Sequence, residues 1–176
     1  MKLLVIGLAA IAAAVPLTGT ATAAPAAPEV PDTLAVGDAH KPYLIAHAIG
    51  VQIYGCNGSS WSLTAPRADL YGDNGQLIGT HFSGPSWQAK DGSKVVGRRA
   101  ADPVIVDRTA IPWLLIEPTS VTTGSDGDRF AGTTYIQRIN TTDGLAPAAS
   151  ECTPANAGEQ REVAYTADYV FWKKRS

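Results

Sequence analysis

Histidine is the residue type in this sequence best suited to metal or acid–base chemistry, and the chain has three, His40, His47 and His81. A neutral imidazole ligates copper or zinc and can also act as a general base. If the strands that carry His47 and His81 were neighbours, the two rings could converge, with Asp168 or Tyr54 completing a copper or zinc site. The spacing matches no H-x-H or H-E-x-x-H element, and a histidine on a strand ordinarily makes structural hydrogen bonds. A metal-dependent enzyme centred on His47 and His81 is therefore the alternative hypothesis.

A second set of side chains combines amide, aromatic and cationic groups, which suit a small polar ligand or a glycan. An indole offers a flat stacking surface, and amides fix the orientation of polar ligand groups. Because strand alternation places Gln137 and Arg138 on opposite faces, at least one of them is expected to be solvated or paired with Asp168. The predicted ligand-binding residues are Gln52, Tyr54, Trp87, Gln137, Arg138 and Asn140.

Known catalytic motifs do not match this sequence. Ser86 follows a Gly-Pro pair but lacks the second glycine of a G-x-S-x-G nucleophile elbow. No G-x-G-x-x-G follows a predicted strand, so a nicotinamide-dependent dehydrogenase is not expected. We therefore favour a non-enzymatic ligand-binding or surface-associated module that needs no cofactor.

Short apolar or alternating runs, separated by Gly, Pro, Asn and Asp, predict an all-β domain. Residues 72–75 (GDNG) supply the positive-φ positions of a hairpin, and residues 162–172 alternate with a period of two. We predict an antiparallel β-sandwich, with a flattened β-barrel as the alternative. The predicted strands are 43–48, 51–55, 60–65, 68–71, 77–82, 94–99, 113–117, 130–140 and 162–172.

The N-terminal residues have the features of a secretory signal peptide. Lys2 precedes an apolar run too short to span a bilayer, and Ala21 and Ala23 occupy the positions that a signal peptidase requires. We predict a signal peptide over residues 1–23, a Pro- and Ala-rich leader over 24–33 and a single β domain over 34–176. The product is expected to be secreted, with no membrane anchor.

The two cysteines and the charge balance agree with that location. Cys56 and Cys152 are the only cysteines and lack metal-site spacing, so we predict one disulfide between them. The formal net charge is -2, with no concentrated basic face, and nucleic acid is not an expected partner. The oligomeric state is left open.

Five ordered blocks of sequence resemble one family. They are HAIGVQIYGC (47–56), GTHFSGPSW (79–87) with DGS (91–93), IPWLL (111–115), YIQRINT (135–141) leading to Cys152, and YTADY (165–169). Together they resemble the signature blocks of small secreted proteins catalogued as a domain of unknown function. The resemblance spans about residues 34–172 and implies family membership, and it implies no activity because the family has none assigned.

Overall fold

Eight antiparallel strands form a closed barrel in the computed structural model, which describes residues 24–175. The predicted signal peptide, residues 1–23, lies outside the described residues. Each strand pairs with the next along the chain, and β8 also pairs with β1, so the sheet closes on itself. The strands are β1 (His40–Cys56), β2 (Trp61–Tyr71), β3 (Leu77–Phe82), β4 (Ser86–Ala89), β5 (Lys94–Arg99), β6 (Leu114–Thr122), β7 (Tyr135–Asp143) and β8 (Gln160–Lys174).

The all-β class is confirmed, and the barrel, which was the alternative, is the architecture rather than the sandwich. The difference arises in β1, which is one strand of 17 residues where the sequence predicted two. The predicted strands 43–48 and 51–55 leave Gly50 between them, but a Cβ at this position would lie 2.2 Å from the carbonyl oxygen of Arg67. The glycine therefore permits close approach of β1 to β2, and β1 continues far enough to pair with β8 from His40 to Gly55.

Other strand boundaries also differ from the prediction. The predicted strands 60–65 and 68–71 are parts of the single strand β2, because Pro66 stays within the ladder to β1. The four-residue strand β4 was not predicted, and β7 begins five residues after position 130, since Phe130 belongs to the preceding turn.

The barrel has two unequal ends. The end that carries the disulfide, which we call the disulfide end, is formed by the loops 57–60, 83–85, 100–113 and 144–159. Strand β2 pairs with β3 only over residues 68–71, so residues 61–67 extend past the end of β3. Strands β3, β4 and β5 are only 6, 4 and 6 residues long. The wall of the barrel is consequently low on this side of the disulfide end.

Aromatic side chains fill the interior. Along β8, alternate residues Tyr165, Tyr169 and Phe171 are buried and point inward, as the period of two predicts. Phe130 stacks on Phe171 with ring centroids 4.5 Å apart. This pair closes the interior near the end opposite the disulfide.

The outward face of β8 is buried near its C-terminal end, where the N-terminal segment packs over it. Val170 and Trp172 belong to an outer apolar cluster with Val30 and Val36. Gln137 is buried in this layer, where its Nε2 donates to the carbonyl oxygen of Leu34 at 2.7 Å. Its Oε1 accepts from Nε1 of Trp172 at 2.8 Å. Gln137 thus fastens the N-terminal segment to the outside of the barrel.

The predicted disulfide between Cys56 and Cys152 is confirmed. It joins the end of β1 to the loop between β7 and β8, and it packs with Tyr54 and Trp61 in a separate buried cluster. The loop 144–159 is therefore held against the disulfide end of the barrel.

Removing the disulfide is expected to destabilise the protein. Because the bond closes most of the barrel into one covalent loop, replacing both cysteines by alanine should lower the free energy of unfolding by about 2–5 kcal/mol. Urea unfolding of the oxidised wild type and the double variant measures the difference. A reductant should shift the wild type toward the variant and leave the variant unchanged; equal midpoints for the oxidised wild type and the variant would contradict the expectation.

The role of Gln137 can be tested against an exposed glutamine. Gln137→Ala leaves Nε1 of Trp172 and the carbonyl of Leu34 buried without their partner, so we expect a loss of at least about 2 kcal/mol in the free energy of unfolding. The matched change at exposed Gln88 should cost less than about 0.5 kcal/mol. Limited proteolysis should also cut residues 24–36 sooner in Gln137→Ala. Similar stability and similar cleavage in both variants would contradict the anchoring role.

Candidate functional site

A cavity of about 260 Å³ opens at the disulfide end, above the short strands. The cavity exists because residues 61–67 of β2 extend beyond the end of β3, whereas the turn between β3 and β4 does not extend as far. The apolar residues that line it include Leu63, Pro66, Pro85, Leu114 and Ile116, and the polar and aromatic residues include Gln52, Thr64, His81, Ser83, Trp87, Arg99, Arg138 and Tyr169.

A stack of rings forms the inner wall of this cavity. His81 and Trp87 are paired across β3 and β4, and their rings stack with centroids 4.5 Å apart and planes 15° apart. The ring of Tyr169 lies 5.0 Å from that of His81. Gly97 leaves room for this arrangement, because a Cβ there would lie 2.4 Å from Cγ2 of Ile116 and 3.5 Å from Trp87. The wall is therefore rigid and aromatic.

His81 is a neutral side chain in this wall. Its pKa is lowered from 6.5 to about 3, chiefly by burial and also by the nearby charge of Arg138, against a hydrogen bond to Ser86 that raises it. Since the carbonyl oxygen of Ser86 can only accept, the bond of 2.9 Å shows that Nδ1 carries the proton. The Nε2 lone pair is left as an acceptor, with no hydrogen-bond partner in the part of the chain that the structure describes.

Two buried hydrogen-bond donors beside the cavity have no partner within residues 24–175. They are Nε2 of Gln52 and Nε1 of Trp87, and both side chains are about 1% exposed. A buried donor without a partner costs about 1–3 kcal/mol. Rotation of the Gln52 amide would exchange its donor and acceptor, so this side chain can present either group to the cavity.

Arg138 brings a positive charge into the barrel. Its neighbours Gln137 and Ile139 face the outer layer, and Arg138 faces the cavity. Nε and Nη2 both donate to the carbonyl oxygen of Pro112, at 3.1 and 2.7 Å. None of the ion pairs within residues 24–175 includes Arg138 or the exposed mouth residue Arg99.

The structure brings together half of the predicted ligand-binding residues. Gln52, Trp87 and Arg138 all line the cavity. Trp87 is not the exposed stacking platform that was expected, because its ring is buried against His81.

The other half lie elsewhere, each for a local reason. The hydroxyl of Tyr54 donates to the carbonyl oxygen of Gly144 at 2.7 Å in the disulfide cluster. Gln137 is committed to the outer layer. Asn140 lies at a bulge of β7 with φ 50°, where it faces outward and donates to Oδ2 of Asp168 at 2.8 Å.

The predicted metal site of His47, His81 and Asp168 is wrong in its central assumption. The strand alternation of β1 turns His47 to the outside of the barrel, whereas His81 is buried inside. His47 instead lies between two carboxylates, with Nδ1 2.7 Å from Asp168 and Nε2 3.0 Å from Asp73. Within residues 24–175 no group of three or more His, Cys, Asp or Glu side chains is arranged to hold a metal ion.

Sequence reasoning missed several cavity residues. His81 was a candidate metal ligand or general base and not a cavity-wall residue, and Tyr169, Arg99 and Leu114 were assigned to no site. Inward alternation on β8 could have found Tyr169, but the position of Arg99 depends on where β5 ends relative to β2. Across residues 24–175, no helix has the length and apolar character needed to cross a membrane.

Comparison with known proteins gives one match. The family model described as "Protein of unknown function (DUF3455)" matches residues 72–173, which is 102 of 176 residues. No curated protein matches the chain, and no solved structure does. The matched segment contains β3 to β7 and all of β8 except Lys174, while β1 and β2, which complete the barrel, precede it.

His47 should make the stability pH-dependent. Partial burial lowers its pKa, but hydrogen bonds to Asp168 and Asp73 and their charges outweigh this effect, so the folded-state pKa lies above 6.5. The stabilisation is then fully present below pH 6.5 and is lost as the pH rises through the raised pKa. The side chain is 44% exposed, so we expect a contribution below about 1 kcal/mol.

The His47→Gln variant isolates this contribution, since His40 and His81 are present in both proteins. We expect the wild type to exceed the variant in free energy of unfolding most at pH 5.5, with the difference shrinking by pH 8.5. Urea unfolding across this range measures it, and an NMR titration gives the pKa of His47 directly. A stability difference that does not depend on pH, or a pKa of His47 below 6.5, would contradict the stabilising contacts of His47 with Asp168 and Asp73.

Proposed function

We propose that this chain, which belongs to the DUF3455 family of proteins of unknown function, binds a small organic ligand in the cavity at the disulfide end. An eight-stranded barrel has an interior just wide enough to be filled by side chains or to hold one small ligand. A cavity of about 260 Å³ is near the lower limit of ligand pockets, which span about 300–1,000 Å³. The proposed ligand is therefore compact.

The observation that carries this proposal is the pair of unpartnered donors. Nε2 of Gln52 and Nε1 of Trp87 are buried, belong to different strands and border the same cavity. An interior selected only for packing would be more stable with apolar side chains at both positions, because each unmade hydrogen bond costs about 1–3 kcal/mol. A ligand with an acceptor group would recover that free energy on binding.

The walls of the cavity favour a ligand with an apolar body. Leu114 and Ile116 pack with the interior core, and Leu63 and Pro66 face them across the mouth. Burial of apolar ligand surface stabilises a complex by about 25 cal/mol per Å² removed from water. The polar groups would then fix the orientation of the ligand.

The state of His81 supports binding more than acid–base catalysis. With a pKa of about 3, the ring is neutral near neutral pH and is a weak base there. Its Nε2 can accept a hydrogen bond from a ligand without titrating. The charge that His81 presents to a ligand would then stay constant near neutral pH.

We also propose that binding takes place outside the cytoplasm. The disulfide between Cys56 and Cys152 is compatible with an oxidising compartment. The predicted cleavage after Ala23 can be checked from the intact mass of protein recovered from the culture medium.

The binding proposal can be tested with a panel of benzene and cyclohexane derivatives, each carrying one amide, hydroxyl, carboxylate or ammonium group. The readout is the indole N–H resonance of Trp87 in ¹⁵N-labelled full-length mature protein, assigned with Trp87→Phe. We expect some panel members to shift this resonance and to leave that of Trp113 in place, because Trp113 lies in the outer layer.

A matched pair of variants locates the site. Leu114→Trp fills the mouth of the cavity and should weaken binding at least about tenfold, whereas Leu77→Trp, near the opposite end, should leave it unchanged. Both variants should keep the dispersed amide spectrum of a folded barrel. If no panel member shifts Trp87, or if folded Leu114→Trp binds as well as the wild type, the proposal fails.

A further inference from the structure

We infer that the ligand of this cavity is an organic monoanion, a carboxylate with a compact apolar body, and that Arg138 is its anchor. The inference rests on the proposed binding function and adds the charge class of the ligand. It starts from a guanidinium group that lines the cavity and forms no ion pair within residues 24–175.

Arg138 retains hydrogen-bonding capacity toward the cavity. A guanidinium carries five N–H donors in a planar fork, and the carbonyl of Pro112 takes one from Nε and one from Nη2. The remaining N–H groups are on the two terminal nitrogens, which is the pair of atoms that a carboxylate can contact bidentately. The contact with Pro112 fixes the side chain, and the other face of the fork lies at the cavity beside the hydroxyl of Tyr169.

The charge of Arg138 acts on the interior. Burial is the main cause of the pKa shifts of His81, Tyr165 and Tyr169. The charge of Arg138 lowers all three pKa values, which adds to the effect of burial on His81 and opposes it on the two tyrosines. Arg138 is half-buried, and a partly desolvated charge without a counterion is unfavourable, so a bound anion would compensate it. His81 stays neutral and adds no second fixed charge near the ring stack.

The charged residues that line the cavity are all positive. They are Arg138 in the interior and Arg99 at the mouth, and no Asp or Glu is among the lining residues. This local charge is opposite in sign to that of the whole chain, which is -2. Arg98, next to Arg99, faces the outside and pairs with Glu117 at 2.8 Å, so the strand presents one paired and one unpaired arginine. Arg99 is placed to attract an anion to the mouth.

The apolar walls decide between a small inorganic anion and an organic one. Phosphate or sulfate would contact Arg138 but would leave Leu114, Ile116 and Pro66 facing empty space. A carboxylate attached to one ring or a short branched chain satisfies both parts of the cavity. Nε2 of Gln52 and Nε1 of Trp87 supply further donors beside the same space.

The test compares phenylacetate with phenylacetamide, which has nearly the same shape and no charge. Titration calorimetry on the full-length mature protein, combined with the Trp87 indole resonance, gives affinity and location. We expect phenylacetate to bind at least about tenfold more tightly than phenylacetamide, with an affinity that falls as salt is added. Inorganic phosphate should not compete at equal concentration.

Three arginine variants assign the anchor. Arg138→Gln should remove the preference for phenylacetate and leave the affinity for phenylacetamide within about twofold of the wild type. Arg99→Gln should reduce the salt dependence, and Arg98→Gln, whose side chain lies outside the cavity, should bind like the wild type. If Arg138→Gln does not fold, the preference and its salt dependence in the wild type still decide the question.

The possible outcomes distinguish failure of the anion assignment from failure of the proposed binding function. Equal or tighter binding of phenylacetamide, or a folded Arg138→Gln that keeps the preference, overturns the anion assignment while binding in the cavity stands. The anion assignment is also overturned if neither phenylacetate nor phenylacetamide binds while other panel members shift the indole resonance of Trp87. If no panel member shifts Trp87, the binding function itself fails.

Discussion

Strand β8 pairs with β1 from Lys174 to Gln160 and with β7 on its other edge, and this double pairing keeps the sheet closed. Closure fixes the circumference of the barrel, so every inward side chain shares one narrow interior. The sheet is shortest at β3, β4 and β5, and there the interior reaches solvent. The cavity is therefore a consequence of unequal strand lengths within a closed sheet.

The contacts that stabilise the fold and the cavity proposed to bind a ligand lie in different layers of the structure. Val170, Trp172 and Gln137 hold the N-terminal segment on the outside of β8, and the disulfide holds the loop 144–159 at one end. Free energy from these outer contacts offsets the cost of polar groups inside. The interior can then keep Arg138 and the unpaired donor of Trp87, which a smaller core could not tolerate.

The sequence predicted what depends on local pattern. Alternation along residues 162–172 identified β8, and the same rule placed Gln137 and Arg138 on opposite faces, as observed. The cysteine pair followed from composition and compartment. Three of the six predicted ligand residues, Gln52, Trp87 and Arg138, line the cavity.

What the sequence could not predict depends on register between distant strands. Gly50 looks like a turn residue until Arg67 is known to lie against it. His47 and His81 look like partners until the faces of their strands are known, and the bulge that turns Asn140 outward has no clear local signal. The choice between a barrel and a sandwich depends on the long pairing of β1 with β8, which joins residues more than a hundred positions apart.

A crystal structure of the full mature protein grown with phenylacetate tests the central claim most directly, since it shows the ligand and its contacts together. The account predicts the carboxylate within about 3.2 Å of the terminal nitrogens of Arg138, with the ring between Leu114 and Pro66. Phenylacetate bound elsewhere, or a cavity filled by rearrangement of Trp87 while Arg138 pairs with a carboxylate of the protein, would contradict it.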